Sequence, residues 1–407
     1  MPPALTDPLT LPCGAVLKNR IVKGAMTEGI GTPDNRATAD HAALYGRWAR
    51  GGAGLLLTGN VQIDRRFVER PGNVAIDDNG GLELLAAYAA AGRENGTHIW
   101  MQINHPGRQA GASPETFVAP SAMPLVGGTG MCRALSVAEI HDIQRRFVHV
   151  AVTARETGFT GVQVHAAHGY LLSQFLSPLT NQRDDDWGGS LENRARLLLD
   201  IVTAIRTATG PDFPVSVKLN SADFQKGGLT EEESVQIVHW LCAAGIDLLE
   251  ISGGSYESQV MVGRERDGTL RKKASTLARE AYFLDFAARL RPHVSVPLAV
   301  TGGFRSRAAM TQSLKTGALD AIGIARPLCL DAGLIDDLLG GRIDRLPSPD
   351  DLPGTEAQAT IAYYFNQIRH LATGDAIETD IDWQAQLDAH SAYDAALTER
   401  YLATFAS

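Results

Sequence analysis

Two histidines and a tyrosine stand together at His165-Ala-Ala-His168-Gly-Tyr170, directly after a short apolar run, Gly161-Val-Gln-Val164. A neutral imidazole carries one N–H donor, and a phenol can deliver a proton. His165 and His168 are three residues apart, a spacing at which one helical turn points both side chains the same way. Such a set is equipped to hold a carbonyl oxygen while a neighbouring carbon is reduced. Two other readings compete. A metal site at His-x-x-His lacks a clear third ligand nearby, Asp184–Asp186 being expected to form a surface turn, so no metal is expected. Alternatively, the histidines are buried core residues with satisfied hydrogen bonds.

The elements that must position this set alternate regularly. Apolar runs at 20–24, 54–58, 98–102, 161–165, 215–219, 247–251, 298–301 and 321–324 are expected strands. Helical patterns at 38–50, 82–95, 136–157, 190–209, 231–244, 275–290 and 306–316 separate them. Such alternation means parallel strands with crossover helices. Eight strands, with no G-x-G-x-x-G after the first, predict a (β/α)8 TIM barrel in the α/β class rather than an open sheet. Leu9–Leu17 reads as an N-terminal β-hairpin turning at Gly14, able to plug the bottom of the barrel. The expected division is a barrel over 1–345 and a C-terminal helical extension over 346–407, packed on the barrel or on a partner subunit. Its apolar and aromatic positions (Ile361, Tyr364, Phe365, Ile368, Leu371) suit packing more than cofactor binding. Two connections are long, 104–135 and 253–274, and long ordered loops usually serve as lids. The second carries Arg264, Arg266, Arg271, Lys272 and Lys273. It is either a solvated surface segment or, where it reaches the mouth, a preference for the 2′-phosphate of NADPH.

Active sites of such barrels lie at the C-terminal ends of the strands. The residues there are Ala25-Met26-Thr27, Thr58-Gly59, Gln102, His165/His168/Tyr170, Lys218, Ser252-Gly253-Gly254, Gly302-Gly303 and Ala325-Arg326. The turns after strands seven and eight are the usual phosphate site of the architecture. Gly302 and Gly303 let backbone N–H groups approach an anion, and Ala325-Arg326 adds amides and a guanidinium. Across the mouth, the Gln102 amide can pair with a heteroaromatic edge and Lys218 can stabilise negative charge on a reduced ring. Phosphate, amide and cation together suit FMN. The structural alternative makes Lys218 and Gln102 partners of buried carboxylates. A non-flavin barrel lyase, with Lys218 forming a Schiff base, is a further alternative.

Composition narrows the class. The 407 residues are 44% hydrophobic and 20% charged, with a net charge of -9, which argues against nucleic acid or an anionic membrane as partner. No apolar run reaches the roughly 20 residues of a membrane span, and Met1–Asp7 has no signal-peptide pattern. Cys13, Cys132, Cys242 and Cys329 are scattered, which suits reduced thiols in a cytoplasmic protein.

The chain resembles the Old Yellow Enzyme family of FMN-dependent ene-reductases over about residues 5–345. The resemblance lies in Leu17–Val22, in Met101-Gln-Ile-Asn-His-Pro-Gly-Arg108, and in His165–Tyr170 continuing to Pro178, Asn181, Arg183, Asp185 and Trp187–Ser190. It extends through Thr301-Gly-Gly-Phe304 and Gly323-Ile-Ala-Arg-Pro327. Trp187 stands where tyrosine is usual, and Ala25 where proline is frequent. The resemblance implies cofactor contacts from Ala25, Met26, Thr27, Gly59, Gln102, His165, Lys218, Gly302, Gly303, Ala325 and Arg326. Thr27 would bond the flavin C4 oxygen, Gln102 the pyrimidine edge, and Lys218 the N1 and O2 side. NADPH or NADH would reduce the flavin. N5 would then pass hydride to the β-carbon of an α,β-unsaturated carbonyl compound held by His165 and His168, while Tyr170 protonates the α-carbon. The iron–sulfur cysteine cluster and extra nucleotide-binding domain of larger relatives are not seen. An idle FMN-binding scaffold and an oxidative relative that desaturates or demethylates its substrate are the remaining alternatives. A homo-oligomer is expected, with the C-terminal helices as interface.

Overall fold

The structure is a computed structural model describing residues 2–125, 130–252, 284–347 and 357–406. Eight parallel strands close into a barrel: β1 Ile21–Lys23, β2 Leu55–Gln62, β3 His98–Asn104, β4 Gly161–Ala166, β5 Val215–Asn220, β6 Leu248–Ser252, β7 Leu298–Thr301 and β8 Ala321–Ile324. Each strand pairs with its neighbour in chain order, and β8 closes on β1. This is the (β/α)8 barrel that the alternation of runs predicts.

Crossover helices α1 Ala39–Arg50, α2 Leu82–Gly92, α3 Val137–Glu156, α5 Leu191–Thr209, α6 Glu231–Ala243 and α7 Arg307–Lys315 surround it, and residues 284–290 are also helical. Short helices α4 Leu171–Leu176 and α8 Leu334–Leu339 follow β4 and β8. The starts are chemically marked. Ser136 accepts from the Glu139 N–H while the Glu139 carboxylate takes the Ser136 N–H at 2.8 Å, and Thr230 with Glu233 forms the same capping box. In α3 the buried Ile140, Ile143, Phe147, Val150, Ala151 and Ala154 fall at helical spacing, giving one apolar stripe for the barrel wall.

The bottom of the barrel is an apolar plug. Leu9–Thr10 pairs with Val16–Leu17, and Gly14 turns the ribbon at φ +88°. Leu9, Leu11 and Leu17 pack with the inward side chains Val22, Leu55, Leu57, Trp100, Leu248, Ala299 and Ala321. Fully burying a leucine is worth about 1.5–3 kcal/mol, so this layer anchors that end. Side chains alternate along a strand; two residues nearer the C-terminal ends, the inward rows carry Gly24, Gln102, Gln163, Lys218, Glu250, Thr301 and Gly323. The interior therefore changes from apolar to polar as it approaches the mouth.

Two strands run further than their apolar runs suggest, β2 to Gln62 and β3 to Asn104. Their register shifts between Leu57 and Asn60, a bulge that lets polar residues continue the ladder. The connection after β3 contains a 3₁₀ turn, Gly107–Gln109, and a small sheet of Val118–Ala119, Met123–Pro124 and Met131–Ala134. The basic connection at 253–274 lies outside the described residues.

Two long helices follow the barrel, α9 Ala357–Thr373 and α10 Trp383–Ala403, pinned together by Asn366 Nδ2 donating to the Gln386 carbonyl at 3.0 Å. They reach the loops after β1 and β2. Tyr393 donates to the Gly29 carbonyl at 3.1 Å and Tyr401 to the Arg65 carbonyl at 2.6 Å. The Arg70 guanidinium lies 3.6 Å from the Phe365 ring centroid and 3.5 Å from Asp394. Among the described residues, no helix is long and apolar enough to cross a membrane.

Candidate active site

At the mouth, the bulge in β2 shapes the first wall. Thr58 Oγ1 accepts the Gln102 N–H at 2.9 Å, replacing the backbone partner that the bulge removes. A Cβ on Gly59 would lie 2.1 Å from Glu28 Oε2 and 2.6 Å from the Met26 carbonyl, so this position requires glycine. The buried Glu28 carboxylate takes the Gly59 N–H at 2.8 Å, the Tyr88 hydroxyl at 3.3 Å and the Tyr45 hydroxyl. Behind it, Lys23 donates to Tyr45 at 3.1 Å and to the Leu57 carbonyl at 2.7 Å; burial lowers its pKa to about 8. This network fixes the half-buried segment Ala25–Thr27 beside Gly59.

Next comes the polar layer. Gln102 Nε2 donates to Gln163 Oε1 at 2.6 Å, Gln163 Nε2 donates to Glu250 Oε2 at 2.9 Å, and Lys218 pairs with Glu250 Oε1 at 3.1 Å. The expected alternative, with Lys218 and Gln102 serving buried carboxylates, is thus physically present: Glu250 faces Lys218 directly and Gln102 through Gln163. The same chain of bonds holds both groups at the mouth, so it also prepositions them for a ligand. Gln163 and Glu250 are absent from the sequence-derived set. Both carried a signal: Gln163 stands two residues before His165 on the same strand face, and Glu250 interrupts the apolar run Leu248-Leu-Glu-Ile251.

His165 lies two residues beyond Gln163 in β4 and is the register partner of Lys218. His168 is not on a helical turn with it; its φ of +64° puts it in the left-handed region, followed by Gly169 at +78°. The helical premise fails because β4 runs through Ala166, after which the chain turns sharply. The rings still meet, edge to face, with centroids 5.0 Å apart, and the Tyr170 ring also lies edge to face with His165 at 5.0 Å. Asn220 Oδ1 accepts the His168 N–H at 3.2 Å, helping to hold this uncommon backbone. His168 Nε2 lies 2.6 Å from Ser252 Oγ.

Protonation follows from burial. Desolvation first, then the His168 and Lys218 charges, holds His165 well below the usual histidine range; desolvation and then Lys218 do the same for His168. Both are neutral at pH 7. The Ala167 N–H donates to His165 Nδ1 at 3.2 Å, so the ring proton sits on Nε2.

Across the barrel, the walls are small: Gly24, Thr301 and Gly323. Thr301 Oγ1 is buried without a hydrogen-bond partner among the described residues. Gly302 and Gly303 have φ of +112° and +84°, and a Cβ on Gly302 would meet nothing within 4 Å among the described residues. Ala325 is half-buried and Arg326 is exposed at the start of the 3₁₀ turn Arg326–Cys329. A glycine turn, a neutral donor set, a cation and an amide thus lie at the same end of the barrel. That donor chemistry fits a flat, phosphate-bearing cofactor. Among the described residues, no group of three His, Cys, Asp or Glu side chains is placed to hold a metal ion.

The chain matches the NADH:flavin oxidoreductase / NADH oxidase family over residues 4–344. It is 37% identical over 348 residues to the NADH-dependent flavin oxidoreductase iliE of Hypocrea jecorina (strain QM6a), covering 80% of this chain and 86% of that protein. The NADH-dependent flavin oxidoreductase nadA of Aspergillus parasiticus is 37% identical over 397 residues, 92% of this chain and 86% of that protein. With an iliE protein of Neonectria sp. (strain DH2), 39% identical over 345 residues, the match takes 79% of this chain but spans 45% of the relative's length. Among solved structures, the old yellow enzyme homologue from Zymomonas mobilis aligns at a TM-score of 0.71 and 25% identity, covering 86% of this chain and 96% of that one. Morphinone reductase in complex with tetrahydroNAD aligns at 0.70 and 25%, covering 86% and 93%. The whole barrel thus takes part in the likeness, and the chain belongs to the NADH:flavin oxidoreductase / NADH oxidase family, the Old Yellow Enzyme group of flavin-dependent oxidoreductases.

Proposed function

We propose that this protein is an FMN-dependent NAD(P)H oxidoreductase that reduces the C=C bond of α,β-unsaturated carbonyl compounds. The observation that carries the reading is one juxtaposition. The neutral His165 and His168 rings and the Tyr170 phenol cluster beside Lys218, and the glycine turn Gly302-Gly303 follows β7 at the same end of the barrel.

Bound FMN would supply a hydride acceptor and donor, loaded by NADH or NADPH. Ala25, Met26, Thr27 and Gly59 would line one edge. Gln102 would hold the pyrimidine side and Lys218 would face developing negative charge. Gly302, Gly303, Ala325 and Arg326 would hold the phosphate. The chain's own residues do the rest. His165, with its proton on Nε2, offers a neutral donor to a substrate carbonyl oxygen. His168 joins it by turning its ring from Ser252 or by sharing that hydroxyl. Because both rings are neutral, they polarise the oxygen without transferring a full charge, and they stabilise the enolate as it forms. One such preorganised donor is worth about 2.7–4 kcal/mol. Tyr170, whose ring also packs edge to face with His165, gives its phenolic proton to the α-carbon. The relatives' names give NADH as reductant, which supports NADH alongside NADPH here.

The test is the visible spectrum of the purified protein before and after anaerobic addition of NADH or NADPH, followed by cyclohexenone. Flavin bands that bleach and then return establish both half-reactions. A colourless protein that does not take up added FMN overturns the reading.

A further inference from the structure

A threonine hydroxyl has one proton to give. Thr27 Oγ1 lies 2.9 Å from Glu69 Oε2 and 3.2 Å from Glu69 Oε1, so its proton goes to that carboxylate. The Asn60 Nδ2 amide donates to the same Oε2 at 2.6 Å, while Asn60 Oδ1 is buried with no partner among the described residues. Asn60 is the register partner of Gln102 and the neighbour of Gly59. A carboxylate therefore sits one hydrogen bond from Thr27, a position read above as the edge of the cofactor site, and one from Asn60, the neighbour of Gly59.

Glu69 is also held from outside. Val68 N–H donates to the Ala112 carbonyl at 3.3 Å and Gly111 N–H to the Val68 carbonyl at 2.9 Å, joining this loop to the one after β3. The next residue, Arg70, is clasped by Phe365 of α9 and Asp394 of α10. The backbone on both sides of Glu69 is anchored, so its side chain is aimed rather than free.

We propose that Glu69 is a positioning residue: it claims the Thr27 hydroxyl proton, denies it to the carbonyl edge of bound FMN, and so holds the cofactor's reduction potential lower than the barrel would otherwise set. The proposal rests on the FMN reading. The physical reason is competition for one proton. A hydrogen bond to a carboxylate is about twice as strong as one to a neutral carbonyl, so the proton stays with Glu69 and Thr27 presents only an oxygen to the ring. Reduction adds electron density to that ring, which then lacks a donor there, and this favours the oxidised form.

The experiment is the midpoint potential of the FMN-loaded protein, measured spectroelectrochemically in wild type, Glu69→Gln, Thr27→Ala and the double variant, with FMN content determined for each. Glu69→Gln is expected to favour reduction by about tenfold, a rise of about 30 mV for a two-electron couple. With Thr27→Ala already in place, the same substitution is expected to produce less than half that rise. No rise in Glu69→Gln, or a rise in the Thr27→Ala background of half or more, overturns the proposal, because Glu69 would then act without Thr27. Should Glu69→Gln not retain FMN, Glu69→Asp, which withdraws the carboxylate by one methylene, takes its place: a rise that shrinks by more than half in the Thr27→Ala background supports the proposal, and any other result overturns it. A wild type that neither contains nor takes up FMN defeats the underlying reading instead, and is seen before any variant is made.

Discussion

Replacing Tyr170 by phenylalanine separates the two half-reactions more cleanly than any other change at the site. The ring is 2% exposed, lies edge-on to His165 at 5.0 Å, and makes no side-chain cap bond at the start of α4. Phenylalanine keeps that packing and loses only the hydroxyl, which costs about 1 kcal/mol of stability if a hydrogen bond goes with it. As a general acid the phenol is worth roughly 10²–10⁴-fold, or about 2.7–5.5 kcal/mol of barrier. The catalytic loss therefore exceeds the structural one several-fold, and it falls on one step only. In anaerobic stopped flow, flavin reduction by NADH or NADPH should stay within about threefold of wild type, while reoxidation by cyclohexenone slows by roughly 10²–10⁴-fold. The visible absorbance of the flavin reports both steps on one sample, since the colour belongs to the cofactor and is lost and regained with its electrons. Equal slowing of both steps would show that Tyr170 shapes the site without delivering the proton. No slowing of either would show that the proton comes from elsewhere.

Three further outcomes follow from the same geometry. Glu250→Gln leaves Lys218, whose side chain is 6% exposed, without its charge partner; stability in urea should fall by about 3–5 kcal/mol, and a loss under about 1 kcal/mol would mean that the pair is not holding the polar layer together. Gly302→Ala forces a side chain onto a backbone at φ +112°, costs about 1–3 kcal/mol and puts a methyl into the open turn; FMN should bind at least about tenfold more weakly in a fluorescence titration, and unchanged affinity would move the phosphate elsewhere. Burial pushes the pKa of His105 down to about 4, so the unfolded chain takes up this proton first as pH falls. Its stabilising contribution is complete above the unfolded value near 6.5 and is lost between there and 4, roughly 3 kcal/mol in all. His165 and His168 are displaced the same way and steepen the loss. Urea titrations across this range should show a shallower pH dependence in His105→Gln than in wild type; identical slopes would contradict the assignment.

The barrel was legible because a parallel strand buried on both faces reads as a short apolar run, and Leu298–Thr301 and Ala321–Ile324 match their runs end to end. The histidine cluster was legible as a set of residues but not as a shape. Three-residue spacing suggested a helical turn, whereas the strand carries His165 and a left-handed turn returns His168 to it. Period two was the better rule for this segment, and it would also have drawn Gln163 into the set. The acidic partners behave differently. Glu250 is 32 residues from Lys218 and reaches it only because β5 and β6 are adjacent in register. A lone carboxylate inside an apolar strand announces that it must be paired, without naming the partner. Glu69 announces nothing of the kind. It lies in an irregular loop with no periodicity, and its meeting with Thr27, 42 residues earlier, depends on how the loops after β1, β2 and β3 and the two C-terminal helices settle against one another. Local pattern thus finds the groups that a strand points inward. Groups that loops bring to the same mouth are fixed by packing at a distance, which is why a substitution in α9 or α10 that releases Arg70 is expected to move the environment of Thr27 although neither helix supplies a residue to the candidate site.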